Sequence, residues 1–136
     1  MTTLNVRPFL MFQGNNAEQA MQLYVSLIPG SHIVNIVRYG AGGQGADGSV
    51  MKATLSIAGQ EVMCIDSPVK HAFGFTPSFS FFVDCESDQQ LREIAAALGE
   101  GGAVLMGLAN YGFSRQFTWL NDRYGVSWQL NLPNEQ

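Results

Sequence analysis

One order of elements is read twice along the chain, and that constrains the fold more than any other feature. Pro8-Phe9-Leu10-Met11-Phe12 opens one half and Pro77-Ser78-Phe79-Ser80-Phe81-Phe82 opens the other. Each apolar opening leads to a helical pattern and then to three strand-like segments. In the first half, residues 6–12 read as a strand, with Pro8 near its start, where a missing N–H is tolerated. Asn15 followed by Glu18 predicts a capping box. Ala17, Ala20, Met21, Tyr24, Leu27 and Ile28 recur at helical spacing, and Pro29-Gly30 ends the run. Strands are then expected over 32–39, 49–57 and 61–66. The second half predicts a strand over 77–84 and a helix from Ser87, with Gln90 as its box partner. Further strands are expected over 103–106, 115–120 and 126–132.

The repeat length, about half the chain, is too long for a solenoid. It predicts an internal duplication: an α+β fold of two paired βαβββ modules forming a cupped, partly closed mixed β-sheet. The expected modules span about 4–66 and 77–132, joined by a linker over 67–76, in a single domain over 1–136. A chain of 136 residues fits one domain. Sheets paired in this way would enclose a cavity suited to a small molecule.

Composition narrows the function classes. The chain is 46% hydrophobic and 13% charged, against about 25% charged in ordinary domains, which argues for hidden surface such as an interface or cavity. The net charge is −4 and the seven Lys and Arg are scattered singly, so nucleic acid is not an expected partner. Apolar runs such as Phe81-Phe82-Val83 fall far short of a membrane span, and no signal peptide is visible. Cys64 and Cys85 do not make a disulfide framework; free thiols in the cytoplasm are the simplest expectation.

The motifs with chemical content are few. Gly43-Gln44-Gly45-Ala46-Asp47-Gly48 matches G-x-G-x-x-G, but a strand rather than a helix follows, so a hairpin loop is expected. His32 and His71 lie far apart in sequence, one at a strand start and the other in the linker. Cys64 and Cys85 read as structural thiols without an electropositive setting. Asp66 is expected to cap the turn at Ser67-Pro68, and Asp122 and Arg123 to shape the last hairpin. Tyr111-Gly112-Phe113 would form a lip before the seventh strand.

The order of elements and four stretches resemble the vicinal oxygen chelate superfamily, the glyoxalase and bleomycin-resistance fold. The stretches are 8–12, 20–24, 76–83 and Asp122-Arg123-Tyr124-Gly125-Val126-Ser127-Trp128-Gln129-Leu130. Within it the chain resembles the PhnB-like branch, which carries a 3-demethylubiquinone methyltransferase label. The resemblance implies a glyoxalase-like fold and frequent homodimers. It also implies a divalent metal held by four inward side chains, usually His and Glu, from the first, fourth, fifth and eighth strands. Carried over by flanking motifs, those positions fall on Phe9, Cys64, Ser78 and Gln129. None of the four is a histidine or carboxylate, so the usual catalytic metal is not expected and no catalytic residue is assigned.

The expectation is therefore a ligand-binding set of Phe9, Cys64, Ser78, Trp119 and Gln129 without cofactor, taking a small, partly apolar molecule in a homodimer. One alternative is a metal-dependent lyase, isomerase or dioxygenase with an atypical metal site. The other is a resistance-type sequestering binder. Whether the chain is an enzyme stays open. Methyl transfer is disfavoured, because its common form needs a glycine-rich loop opening a helix on a doubly wound parallel sheet.

Overall fold

The computed structural model describes residues 3–135. The chain divides into two compact units, residues 1–72 and 73–136. Each unit builds one open, four-stranded mixed sheet with one helix.

The first unit runs β1 (Phe9–Phe12), α1 (Ala17–Leu27), β2 (His32–Arg38), β3 (Val50–Ile57) and β4 (Gln60–Asp66), with strand order β1-β4-β3-β2. β1 and β4 are parallel; the other pairs are antiparallel. The second runs β5 (Ser80–Asp84), α2 (Asp88–Gly99), β6 (Ala103–Ala109), β7 (Gln116–Asn121) and β8 (Ser127–Leu132), ordered β5-β8-β7-β6 with the equivalent pairing. The duplication is thus a duplication of topology.

Each helix lays its apolar stripe on one face of its own sheet. Ala17, Ala20, Met21 and Tyr24 of α1 are buried with Leu10, Phe12, Ala53, Leu55, Val62 and Cys64. Leu91, Ile94 and Leu98 of α2 are buried with Leu120, Trp128, Leu130 and Leu132. Burial of this kind supplies the main driving force, at roughly 25 cal/mol per Å² of apolar surface. The outer strands β2 and β6 both carry register shifts, the bulges common at sheet edges.

The two helix starts differ. At α2 the first half of the expected box forms, Ser87 Oγ accepting from Gln90 N at 3.1 Å, while Gln90 Oε1 accepts from Glu86 N at 2.8 Å, one residue before the cap. At α1 it does not form. Asn15 sits at φ 56°, and Asn16 at the cap position makes no side-chain cap bond. The cap comes from Asp66 at the end of β4. Its Oδ1 accepts from Ala17 N at 2.9 Å and its Oδ2 from Val50 N at 2.8 Å. Asp66 is therefore a buried tie between helix and sheet, not the expected cap of the Ser67-Pro68 turn.

Strand ends also move. β1 starts at Phe9 rather than residue 6, although the Pro8 carbonyl still accepts from Met63 N. β5 starts at Ser80 rather than Pro77, because Thr76 to Phe79 form a turn closed by Phe79 N donating to Thr76 O. β6 continues past Met106 to Ala109.

Candidate functional site

The site is built on the second sheet, on the face turned away from α2. Strand alternation puts three cross-strand rows there. Ser80, Ser127 and Asn121 form one row, Phe82, Gln129 and Trp119 the next, and Asp84, Asn131 and Phe117 the third. Side-chain bonds agree with this register. Trp119 Nε1 donates to Ser127 Oγ at 2.8 Å, and Ser127 Oγ shares a 2.6 Å bond with Ser80 Oγ. Asn131 Nδ2 donates to Asp84 Oδ1 at 2.9 Å.

Gln129 holds the middle of this face. It is half-buried, with Phe82 and Trp119 as its neighbours across the two ladders. The hydroxyls and indole in the row beside it bond one another. Among the described residues no group bonds the Gln129 amide, which leaves two N–H donors and a carbonyl acceptor for something else. The last hairpin is fixed by Asp122, as the sequence suggests. Its Oδ1 accepts from Tyr124 N and Val126 N, and its Oδ2 from Trp128 Nε1 at 2.9 Å. That anchor sets the start of β8 and so the position of Gln129.

The other expected contacts fall elsewhere. Ser78 lies in the exposed turn before β5, its hydroxyl 2.6 Å from Thr76 Oγ1. The spacing from strand to helix aligns Phe12 and Ala17 with Val83 and Asp88, so the residue equivalent to Phe9 is Ser80. Pairing Pro8 with Pro77 is therefore two residues out. In the first unit Phe9 is 53% exposed and pairs with Met63, on the face away from α1. Met11 and Ile65 share that face, with Thr54 beside Met63 on the next strand.

Cys64 does not share a face with Phe9. It pairs with Leu10 and Ala53 on the helix side and is fully buried. Burial, with the Asp66 carboxylate adding to it, pushes its thiol up to about 12. Cys85 is also buried and is pushed up to about 11, first by burial and then by Asp84. Neither thiol is poised as a nucleophile or ligand. His71 bonds within the first unit: its N–H donates to Gln13 Oε1 at 2.7 Å, and its Nε2 lies 3.4 Å from Ser67 Oγ.

Sequence reasoning missed Ser80, Ser127, Asn121 and Asn131. The period of two running through Gln129 along β8 could have found two of them, Ser127 and Asn131; Ser80 and Asn121 join only through strand register.

The glycine-rich loop closes on itself. The N–H groups of Gly43, Gly48 and Ser49 donate to Gly40 O, Tyr39 O and Ala46 O, and β3 follows. The Tyr39 ring packs so close to Gly45 that a Cβ there would stand 2.4 Å from it. Such a loop does not fit a phosphate cradle.

Two modules of this topology define a protein of the vicinal oxygen chelate superfamily. Within it, the chain belongs to the family described as 3-demethylubiquinone-9 3-methyltransferase, whose model matches residues 4–131. A Bacillus cereus structure described as a 3-demethylubiquinone-9 3-methyltransferase, PhnB protein, is 50% identical over 95% of this chain and 99% of that one, with a TM-score of 0.91. A Pseudomonas aeruginosa structure is 26% identical over 98% of this chain and 100% of that one, with a TM-score of 0.83. A genomically encoded fosfomycin resistance protein from Listeria monocytogenes shares the fold, at 11% identity over 97% of this chain and 94% of that one, with a TM-score of 0.58. No curated protein matches.

The metal that the superfamily implies does not fit these residues. Cys64 faces the helix as a thiol and Ser78 lies outside the strand; at the positions the register turns the same way, Phe9 has no donor, Met63 has only a thioether, and Ser80 and Gln129 offer only neutral oxygens. Among the described residues, no group of three or more His, Cys, Asp or Glu is placed to hold a metal ion. Nor is any helix long and apolar enough to cross a membrane.

Proposed function

We propose that the chain binds a small, partly apolar molecule on the face of the second sheet turned away from α2, orienting it by hydrogen bonds rather than by a metal. The observation that carries this reading is the unused Gln129 amide between Phe82 and Trp119. An amide flanked by aromatic rings matches the usual composition of a small-molecule site, apolar walls with a few placed polar groups. Trp119 and the Ser80–Ser127 pair supply the neighbouring polar edge, and Phe82 the wall. Ser78 stands next to this edge in sequence, in the turn before β5.

No cofactor enters this reading, and methyl transfer lies outside it. The family description names that reaction, but the glycine-rich loop spends its N–H groups on itself and leads into a strand. A cytoplasmic homodimer belongs to the same reading. It is supported by the sparse charge of the chain and by the uncharged edge strand β6, with Val104 and Leu105 exposed.

The test is Gln129→Leu, which keeps the size of the side chain and removes its amide. Compounds selected by thermal shift on the wild type are measured by calorimetry on both proteins. A lost hydrogen-bonded amide is expected to weaken them about tenfold, or about 1.4 kcal/mol. Unchanged affinity for every compound would refute the assignment.

A further inference from the structure

The third row of the same face has a different chemistry from the second. Asp84 and Asn131 meet there through the Asn131 amide nitrogen. That bond fixes the orientation of the amide, because a carboxylate accepts and cannot donate. The Asn131 carbonyl oxygen is left over; it is buried and has no partner, in a residue only 8% exposed. Buried polar atoms of this kind are uncommon and call for an explanation.

Aromatic rings gather on the same row. Phe117 pairs with Asn131, and its ring meets those of Phe82, Phe113 and Tyr111 at 6.2, 5.0 and 6.1 Å. Phe82 and Phe117 stand on strands that flank β8, so their rings lean toward each other over the Gln129–Asn131 segment. Phe82, Phe113 and Tyr111 are 54%, 55% and 41% exposed, a large apolar area to leave in water.

The unspent polar atoms in this row are oxygens, and the rings present electron-rich faces. No basic group of the second unit neutralises them. Arg92 pairs with Asp88 and Arg115 with Glu135, while Arg123 donates to Ala97 O. An anion would meet the Asp84 carboxylate. A cation finds the exposed Asp84 carboxylate, with the buried Asn131 oxygen beside it, and the exposed rings of Phe82, Phe113 and Tyr111.

We infer that this row is a subsite for an organic cation, an ammonium or guanidinium group carried on an apolar body. Asp84, which is exposed, takes its N–H groups, and a small side-chain shift opens the buried Asn131 carbonyl to one of them, with the exposed Phe82 ring rather than the buried Phe117 against its apolar part. The inference rests on the proposed binding face and names the charge of what occupies it.

The full chain is titrated with 2-phenylethylammonium and, separately, with its neutral counterpart 2-phenylethanol, followed by amide chemical shifts. The ammonium is expected to bind at least about tenfold tighter and to move the Asn131 side-chain amide signals. Asp84→Asn keeps an acceptor for the Asn131 amide and removes the charge, so it should abolish that preference while the thermal melt stays at the wild-type value. Equal affinity for the two probes, a preference that survives Asp84→Asn, or no binding of the ammonium at millimolar concentration would each overturn the subsite. If compounds without charge preference bind and are lost in Gln129→Leu, the binding face stands and only the cation subsite falls. A charge preference retained in Gln129→Leu but lost in Asp84→Asn supports the subsite by itself.

Discussion

Cys64 shows what a single residue's surroundings decide. In sequence it occupies a place on an alternating strand, and alternation sets the period without saying which face is which. The register with Leu10 and Ala53 turns it to the helix side, where burial raises its thiol to about 12 from an ordinary 9.0. The folded state therefore holds the proton more tightly than the unfolded chain. Stability from this group is complete below 9.0 and is lost as pH climbs toward 12, because only the unfolded chain releases the proton in that range. Urea unfolding followed across the alkaline range should show stability falling above 9.0, and falling less steeply in Cys64→Ala. Near neutral pH, thiol reagents should label Cys64 only when denaturant is present. Rapid labelling of Cys64 in the native protein would contradict its placement.

At the scale of elements, the periodicities recovered both helices and all eight strands, and the errors lie at their ends. The α2 cap was legible because its partners are neighbours in sequence. The α1 cap was not, because Asp66 lies 49 residues from the N–H it accepts. No local pattern contains that bond. Asp66→Asn would replace one carboxylate oxygen by an NH₂ group facing an N–H, leaving Ala17 or Val50 without an acceptor. A buried donor so stranded costs about 1–3 kcal/mol, so the urea midpoint should fall with an unchanged slope. A midpoint equal to that of wild type would mean that the tie adds nothing to stability. The β5 boundary failed for a related reason. Residues 77–79 carry strand-like apolar character, but Thr76 and Phe79 close a turn across them.

The whole molecule was the most legible scale. Two readings of the same element order gave two sheets of the same strand order, and the resemblance drawn from 122–130 holds in the matched family. The site was legible only in part. Gln129 and Trp119 stand together across a ladder, whereas Ser78 precedes the strand and Cys64 faces away. A motif fixes a residue's place along the chain, while strand register fixes its face, and register depends on partners distant in sequence. The donor chemistry has a consequence for the molecule as a unit. Zinc, manganese and nickel, each added to protein prepared without chelator or His tag, should leave the thermal midpoint unmoved, because a site binding the folded state alone would raise it. A metal-specific rise together with about one bound ion per chain would revive the metal-dependent reading.

The two tryptophans occupy opposite sides of one sheet. Trp128 is fully buried against the helix with its indole bound to Asp122, while Trp119 is partly open beside Gln129. Optically, the second unit contains two indoles in different media. The emission of one is tied to the integrity of the core, and that of the other to whatever arrives on the opposite face. With either indole replaced by phenylalanine, the remaining one becomes a channel of its own, so occupancy and unfolding can be followed separately in the same cuvette without an added label.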